Sequence, residues 1–134
     1  MNVLLIIAGA ISLLATAIHG VGGELLVVRR LSLEVLPRTN FGGARMTKAM
    51  IHATWHIATV AFLAVGVALI LSGTALHGDT RHAMALLAAG ASTGFAAAAL
   101  VFGTGTVRSP RSLLRHPGPI ALLSVAVLAW AGTL

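Results

Sequence analysis

The chemistry that this sequence can offer is that of imidazole and carboxylate groups, because the chain contains no cysteine. Disulfides, thiolate metal sites, iron–sulfur clusters and thiol catalysis are therefore excluded. Histidine nitrogens with a carboxylate can ligate a divalent metal ion, and two histidines can be the axial ligands of a haem. The candidate ligands share one depth of a predicted helical bundle, and they are His19, Glu24, His52, His56 and His116.

The pair His52 and His56 has the spacing of two ligands on one helix face, since residues four apart are neighbours on an α-helix. Zincin metallopeptidases have a glutamate directly after the first histidine, whereas Ala53 stands there in this chain. Metallopeptidase chemistry is therefore not expected. No nucleophile–base pair or phosphate-binding loop is visible either, so the sequence favours a protein that is not an enzyme. The histidines could also serve only as hydrogen-bonding groups between helices.

Two ligand sets follow from the same residues. A divalent metal could bind His19, His56 and His116, or a b-type haem could have His19 and His56 as its axial ligands. Three glycines follow His19 within four residues and would make room for a haem, although they could equally permit close helix packing. Glu24 would then orient a ligating histidine, or it would simply form a pair with His19 or Arg45.

Long apolar blocks must position these residues. Hydrophobic residues make up 57% of the chain and charged residues 9%, whereas soluble domains average about 25% charged residues. Crossing a bilayer takes about 20 mostly apolar residues, and the blocks that approach this length are approximately 3–23, 47–71, 82–107 and 117–134. The sequence therefore predicts an all-α integral membrane four-helix bundle, antiparallel and up-down, as a single transmembrane domain over residues 1–134.

The basic residues predict the orientation of this bundle. All but one of the nine Lys and Arg residues lie in or beside the loops 24–46 and 108–116, and the exception is Arg81. The positive-inside rule places these two loops in the cytoplasm and both termini outside. Topology thus accounts for the net charge of +6, and nucleic acid is not an expected partner. Arg29 and Arg30 are expected to contact anionic lipid headgroups of the bilayer.

A seam of small residues on the third predicted helix runs through Gly90, Gly94, Ala97 and Ala98. Gly90 and Gly94 have the G-x-x-x-G spacing that lets two membrane helices approach closely. We expect this seam to face the inside of the bundle, with the larger aliphatic residues toward lipid.

Three short motifs in order along the chain resemble a family of small bacterial four-helix membrane proteins. The motifs are the segment from His19 to Glu24, the pair Trp55-His56, and His116-Pro117. The family carries H-S-x-x-G-E, W-H and H-P at these places, and Gly20 departs from its serine. The resemblance implies a multi-pass protein of the bacterial inner membrane. It draws attention to His19, Glu24, His56 and His116, ranks His52 below them, and implies no activity.

Three functions remain open from the sequence. The first is a small membrane protein that holds a metal, a haem or a lipid-like ligand in the cytoplasmic leaflet. The second is a structural or accessory subunit of a larger membrane complex, or a homo-oligomer, whose histidines only join helices. The third is a proton or small-solute pathway, which is less favoured because the outer half offers few polar side chains, namely Ser12, Thr16, Ser72 and Thr74.

Overall fold

The computed structural model describes residues 1–40, 42–104 and 117–134, and this part of the chain is built from helices. The α-helices are α1 (Val3–Ala17), α2 (Gly23–Leu26), α3 (Ala44–Thr74), α4 (Gly78–Ala98) and α5 (Gly118–Thr133). Two π-helical segments, Ile18–Gly22 and Ala99–Thr104, follow α1 and α4, and a 3-10 turn, Val28–Arg30, follows α2. The predicted all-α architecture is confirmed for these residues.

The first helical stretch is longer than its predicted end at residue 23. It continues from α1 through the first π segment into α2, and it ends in the 3-10 turn at Arg30. Val28 in that turn is buried, so the turn is packed against the rest of the protein. The sequence left open whether residues 24–36 extend the first helix, and the structure extends it to this turn.

Three helical stretches are long and apolar enough to cross a membrane by length and composition. They are Val3–Arg30 with 28 residues, Ala44–Thr74 with 31 and Gly78–Gly103 with 26. Gly118–Thr133 is apolar but shorter. Many large aliphatic side chains are exposed on these helices, such as Leu14, Ile57 and Leu87, and such an apolar exterior is typical of proteins surrounded by lipid.

Each of the four longer helices packs against two others. α1 contacts α3 and α5, and α4 contacts α5 and α3. The buried core between them consists mainly of small side chains: Leu5, Ala8, Leu69, Ala85, Ala88, Ala89, Val125 and Ala129. α1 and α3 approach each other so closely that a Cβ added at Gly66 would lie 2.8 Å from Leu13 Cδ2. Small residues at the contact permit such an approach between membrane helices.

Asn2 joins three helix ends at the far end of the molecule from Glu24. Its Oδ1 accepts the Leu5 backbone N–H, which caps α1. Its backbone N–H donates to the Gly73 carbonyl of α3, and its Nδ2 donates to the Gly132 carbonyl of α5. Residue 2 therefore satisfies groups of α1, α3 and α5 that the helices themselves leave open.

The expectation that the glycine seam of α4 faces inward is wrong. Gly90 and Gly94 are exposed, and a Cβ added at either would meet nothing within 4 Å. The buried face of α4 consists of Ala85, Ala88, Ala89, Ser92 and Ala96. Alanine already permits close packing at these positions, so the α4 interface does not need the glycines.

Candidate metal centre

Glu24 and two histidines of α3 converge on one point. Nε2 of His52 lies 3.1 Å, and Nε2 of His56 3.4 Å, from Oε2 of Glu24. The two histidines come from one face of α3, while Glu24 is in α2 at the end of the first helical stretch. The three ligand atoms all lie within 4.8 Å of one another. This set of Glu24, His52 and His56 is called the triad below.

Two of the three separations within the triad are those expected around a small metal ion, and the third, between the imidazole nitrogens, is at most 4.8 Å. A tetrahedral zinc ion with bonds of about 2.1 Å has neighbouring ligand atoms roughly 3.4 Å apart. Both contacts between the carboxylate and an imidazole are close to that value. Oε2 of Glu24 is shielded from solvent and has no hydrogen-bond partner among the described residues, although both nitrogens are near it. A shared cation would satisfy this oxygen and both nitrogens at once.

The site is open on the histidine side. The side chain of Glu24 is 14% exposed, whereas those of His52 and His56 are 49% and 46% exposed. Structural zinc sites are closed by four protein ligands, and sites with three protein ligands keep a position for water or another ligand. The triad is of the second kind. An ion there would be reachable from outside the helices.

Arg29 holds the other oxygen of the carboxylate. Its Nε donates to Oε1 of Glu24 at 3.1 Å, and its side chain is 67% exposed. Groups that hydrogen-bond to a metal-ligating carboxylate fix its orientation. A guanidinium also repels a cation and competes for the carboxylate charge. Arg29 therefore both orients Glu24 and opposes a metal ion at the triad.

The π segment brings Glu24 to the side of the first helical stretch that faces α3. On a regular α-helix, His19 and Glu24 are five residues apart and would point about 140° away from each other. The π segment Ile18–Gly22 widens this turn, and i→i+5 hydrogen bonding places residues five apart near one face. His19 and Glu24 consequently both contact α3, at successive levels.

His19 contacts Trp55 and Thr59 of α3, about one helical turn from the triad. Its ring is stacked on Trp55, with centroids 4.3 Å apart and planes 8° from parallel. The Thr59 hydroxyl donates to the Trp55 carbonyl, so the 2.9 Å contact between His19 Nδ1 and Thr59 Oγ1 requires Nδ1–H as the donor. Trp55 Nε1 in turn donates to the His19 carbonyl. His19 thus joins the first helical stretch to α3.

The glycines after His19 serve close packing in this structure. A Cβ added at Gly23 would lie 2.2 Å from Cζ2 of Trp55, and one at Gly20 would lie 2.7 Å from Cγ2 of Thr59. The space beside these glycines is therefore occupied by side chains of α3. A haem between His19 and His56 would need that space, so the geometry favours a metal ion over a haem.

The structure thus brings together three of the five predicted ligands. His52, which the sequence ranked lowest, lies nearest to the Glu24 carboxylate, and His19 contacts Thr59 and Trp55 instead. His116 lies outside the described residues. The hydrogen bond from Arg29 to Glu24 was not predicted, because it depends on the 3-10 turn Val28–Arg30, which regular helix spacing does not indicate. Whether these residues bind a ligand stays a prediction.

A shallow groove of about 380 Å³ lies where His19 meets α3, and no member of the triad lines it. Its mainly apolar lining consists of His19, Met50, Ile51, Thr54, Trp55 and Ala58. A groove with this lining suits an acyl or isoprenoid chain better than a polar solute. A lipid-like ligand, the third predicted class, would have space there.

Comparison with known proteins supplies neither a family nor a function. No protein-family model matches the chain, and no curated protein and no solved structure matches it.

Proposed function

We propose that this chain is a multi-pass membrane protein that binds one divalent transition-metal ion, of the zinc class, at Glu24, His52 and His56. The observation that carries the proposal is the convergence of two imidazole nitrogens on a shielded carboxylate oxygen that lacks a hydrogen bond. Imidazole and carboxylate are suitable ligands for zinc and its neighbours in the first transition series.

The membrane placement completes the proposal. α5 is the fourth span, both termini are outside, and the triad lies near the cytoplasmic face of a bacterial inner membrane. Five basic residues against two acidic ones in residues 24–48 support this orientation through the positive-inside rule. Asn2, Gly78 and Leu134 line one pocket of about 310 Å³. That pocket supports placing both termini and the turn before α4 at the same, outer end.

Three protein ligands leave a coordination position for water or a further ligand. The proposed role is therefore reversible binding of the ion at the membrane surface, as in metal sensing, storage or delivery. No residue near the triad is assigned a catalytic step.

The test is a zinc titration of purified protein in detergent against a chromogenic competitor. Wild type is expected to bind one equivalent. His52→Ala and His56→Ala are expected to weaken binding by at least the roughly 10–100-fold that loss of a supporting partner costs at metal sites. His82→Ala, an exposed histidine of α4, is the matched control and is expected to bind as wild type.

The same variants separate this proposal from a purely structural role for the histidines. In that role Glu24 would pair with protonated imidazoles and with Arg29, as part of a structural subunit or a homo-oligomer. Wild type would then bind no stoichiometric zinc, and the His→Ala variants would lose stability in metal-free buffer. That result would remove the metal proposal.

A further inference from the structure

The 3-10 turn next to the triad carries an exposed cationic surface. Arg29 and Arg30 are both exposed, while Val28 before them is buried and anchors the turn. Lys48 Nζ donates to the Leu31 carbonyl at 2.7 Å and adds a third positive charge. The buried Val28 and the hydrogen bond from Lys48 hold the backbone on both sides of Arg29 and Arg30, so the two guanidinium groups extend from a fixed turn.

The donors of this surface are mostly unused. A guanidinium has five N–H donors in a fork that matches phosphate oxygens. Only Nε of Arg29 has a partner among the described residues, and the Arg30 side chain has none there. Two adjacent guanidinium groups with open forks are a suitable site for a phosphate.

Apolar neighbours indicate that this phosphate belongs to a lipid. Leu25, Leu26 and Val27 precede the two arginines and are 48%, 64% and 47% exposed. Exposed aliphatic side chains beside exposed arginines are the pattern of a segment at a membrane surface, where acyl chains and headgroups are both in reach. A free phosphate has no apolar part that could contact these aliphatic side chains, whereas the acyl chains of a lipid could.

We infer that Arg29 and Arg30 bind the headgroup phosphate of an anionic phospholipid, and that this lipid strengthens metal binding at the triad. The second part rests on the proposed function. A phosphate on the open Nη donors of Arg29 neutralises part of the positive charge that acts on Oε1 of Glu24, 3.1 Å from Nε. More of the carboxylate charge is then available to the metal. By linkage, the metal strengthens lipid binding by the same factor.

The experiment measures zinc affinity in nanodiscs of phosphatidylcholine alone and of phosphatidylcholine with phosphatidylglycerol. Wild type is expected to bind zinc about five- to tenfold more tightly with phosphatidylglycerol, within the usual range of coupling between sites. Arg29→Gln removes the positive charge but keeps an N–H donor that can hold Oε1 of Glu24, so it is expected to bind zinc tightly in both lipids. Arg38→Gln removes an equal charge from an exposed residue of the same loop region and is expected to respond as wild type. It controls for the loss of one positive charge. Zinc attracted by the lipid charge itself acts on all variants alike, so the coupling is the wild-type response in excess of the response of Arg29→Gln.

Several results would overturn the inference. Equal responses of wild type and Arg29→Gln to phosphatidylglycerol, or weaker zinc binding by Arg29→Gln in neutral lipid, would exclude the coupling. An effect of inorganic phosphate equal to that of phosphatidylglycerol would exclude the lipid as the ligand.

A second readout does not depend on zinc. Phosphatidylglycerol retained by purified protein is counted by mass spectrometry, and Arg29→Gln and Arg30→Gln are expected to retain less than Arg38→Gln. If wild type binds no zinc in any lipid, the proposed function fails. The amount of phosphatidylglycerol retained by the variants then tests the lipid site by itself. Equal retention by all three variants would exclude that site.

Discussion

Replacing Gly23 by alanine tests the contact that positions the triad. The new Cβ would lie 2.2 Å from Cζ2 and 2.8 Å from Cε2 of Trp55, and atoms cannot approach so closely. Either Trp55 moves or the first helical stretch moves away from α3. Gly22→Ala is the matched control, because its Cβ would have its nearest neighbour, Ile18 Cγ2, at 4.0 Å.

Both responses cost a similar free energy of unfolding. A displaced Trp55 loses its stacking on His19, about 0.5–1.5 kcal/mol, and its hydrogen bond to the His19 carbonyl, about 0.5–1.5 kcal/mol. A displaced helix incurs the overpacking cost of about 1–3 kcal/mol. Gly23→Ala should therefore destabilise the protein by about 1–3 kcal/mol. Gly22→Ala should be neutral, or stabilising by up to about 1 kcal/mol.

The assay is reversible unfolding in mixed micelles followed by circular dichroism. Fluorescence of Trp55 is read in a Trp130→Phe background, since the chain has two tryptophans. Gly23→Ala should shift the Trp55 emission and weaken zinc binding, because Glu24 is the next residue. Equal stability and equal emission for the two alanine variants would refute the packing of Gly23 against Trp55.

Three further predictions concern single contacts. Thr59→Val removes the acceptor for His19 Nδ1–H and should lower the free energy of unfolding by about 1 kcal/mol. Zinc affinity should stay unchanged, and a loss of it would contradict the conclusion that His19 is not a ligand of the metal. Asn2→Ala removes a helix cap and should cost about 0.5–2 kcal/mol in the same unfolding assay, so an unchanged stability would exclude the cap. Gly66→Ala should cost about 1–3 kcal/mol by overpacking, whereas Gly90→Ala should be neutral or slightly stabilising; the reverse order would show that the α4 seam faces inward.

The helical class could be predicted from the sequence. Long apolar blocks with little charge indicate membrane spans, and in lipid a helix hydrogen-bonds its own backbone groups. The π segment Ile18–Gly22 could not be read in this way. It lies where Gly20 and Gly23 pack against Thr59 and Trp55 of α3, and regular helix spacing carries no sign of it. Glu24 therefore could be placed at the right depth but not on the right face.

The direction of the α4 glycines was mispredicted for a related reason. G-x-x-x-G spacing shows that Gly90 and Gly94 share a face, but not which neighbour the face meets. The alanines of α4 provide an equally small surface on its other side, and that surface packs in the core. Composition alone cannot choose between two small faces of one helix.

The central claim, a metal ion held by Glu24, His52 and His56, is tested most directly by zinc X-ray absorption of the protein loaded with one equivalent. We expect two imidazole nitrogens at about 2.0–2.1 Å and oxygen ligands at about 2.0–2.2 Å. The imidazole scattering should fall by half in His56→Ala and stay unchanged in His19→Ala. A spectrum with only oxygen ligands, or one that His56→Ala leaves unchanged, would contradict the account.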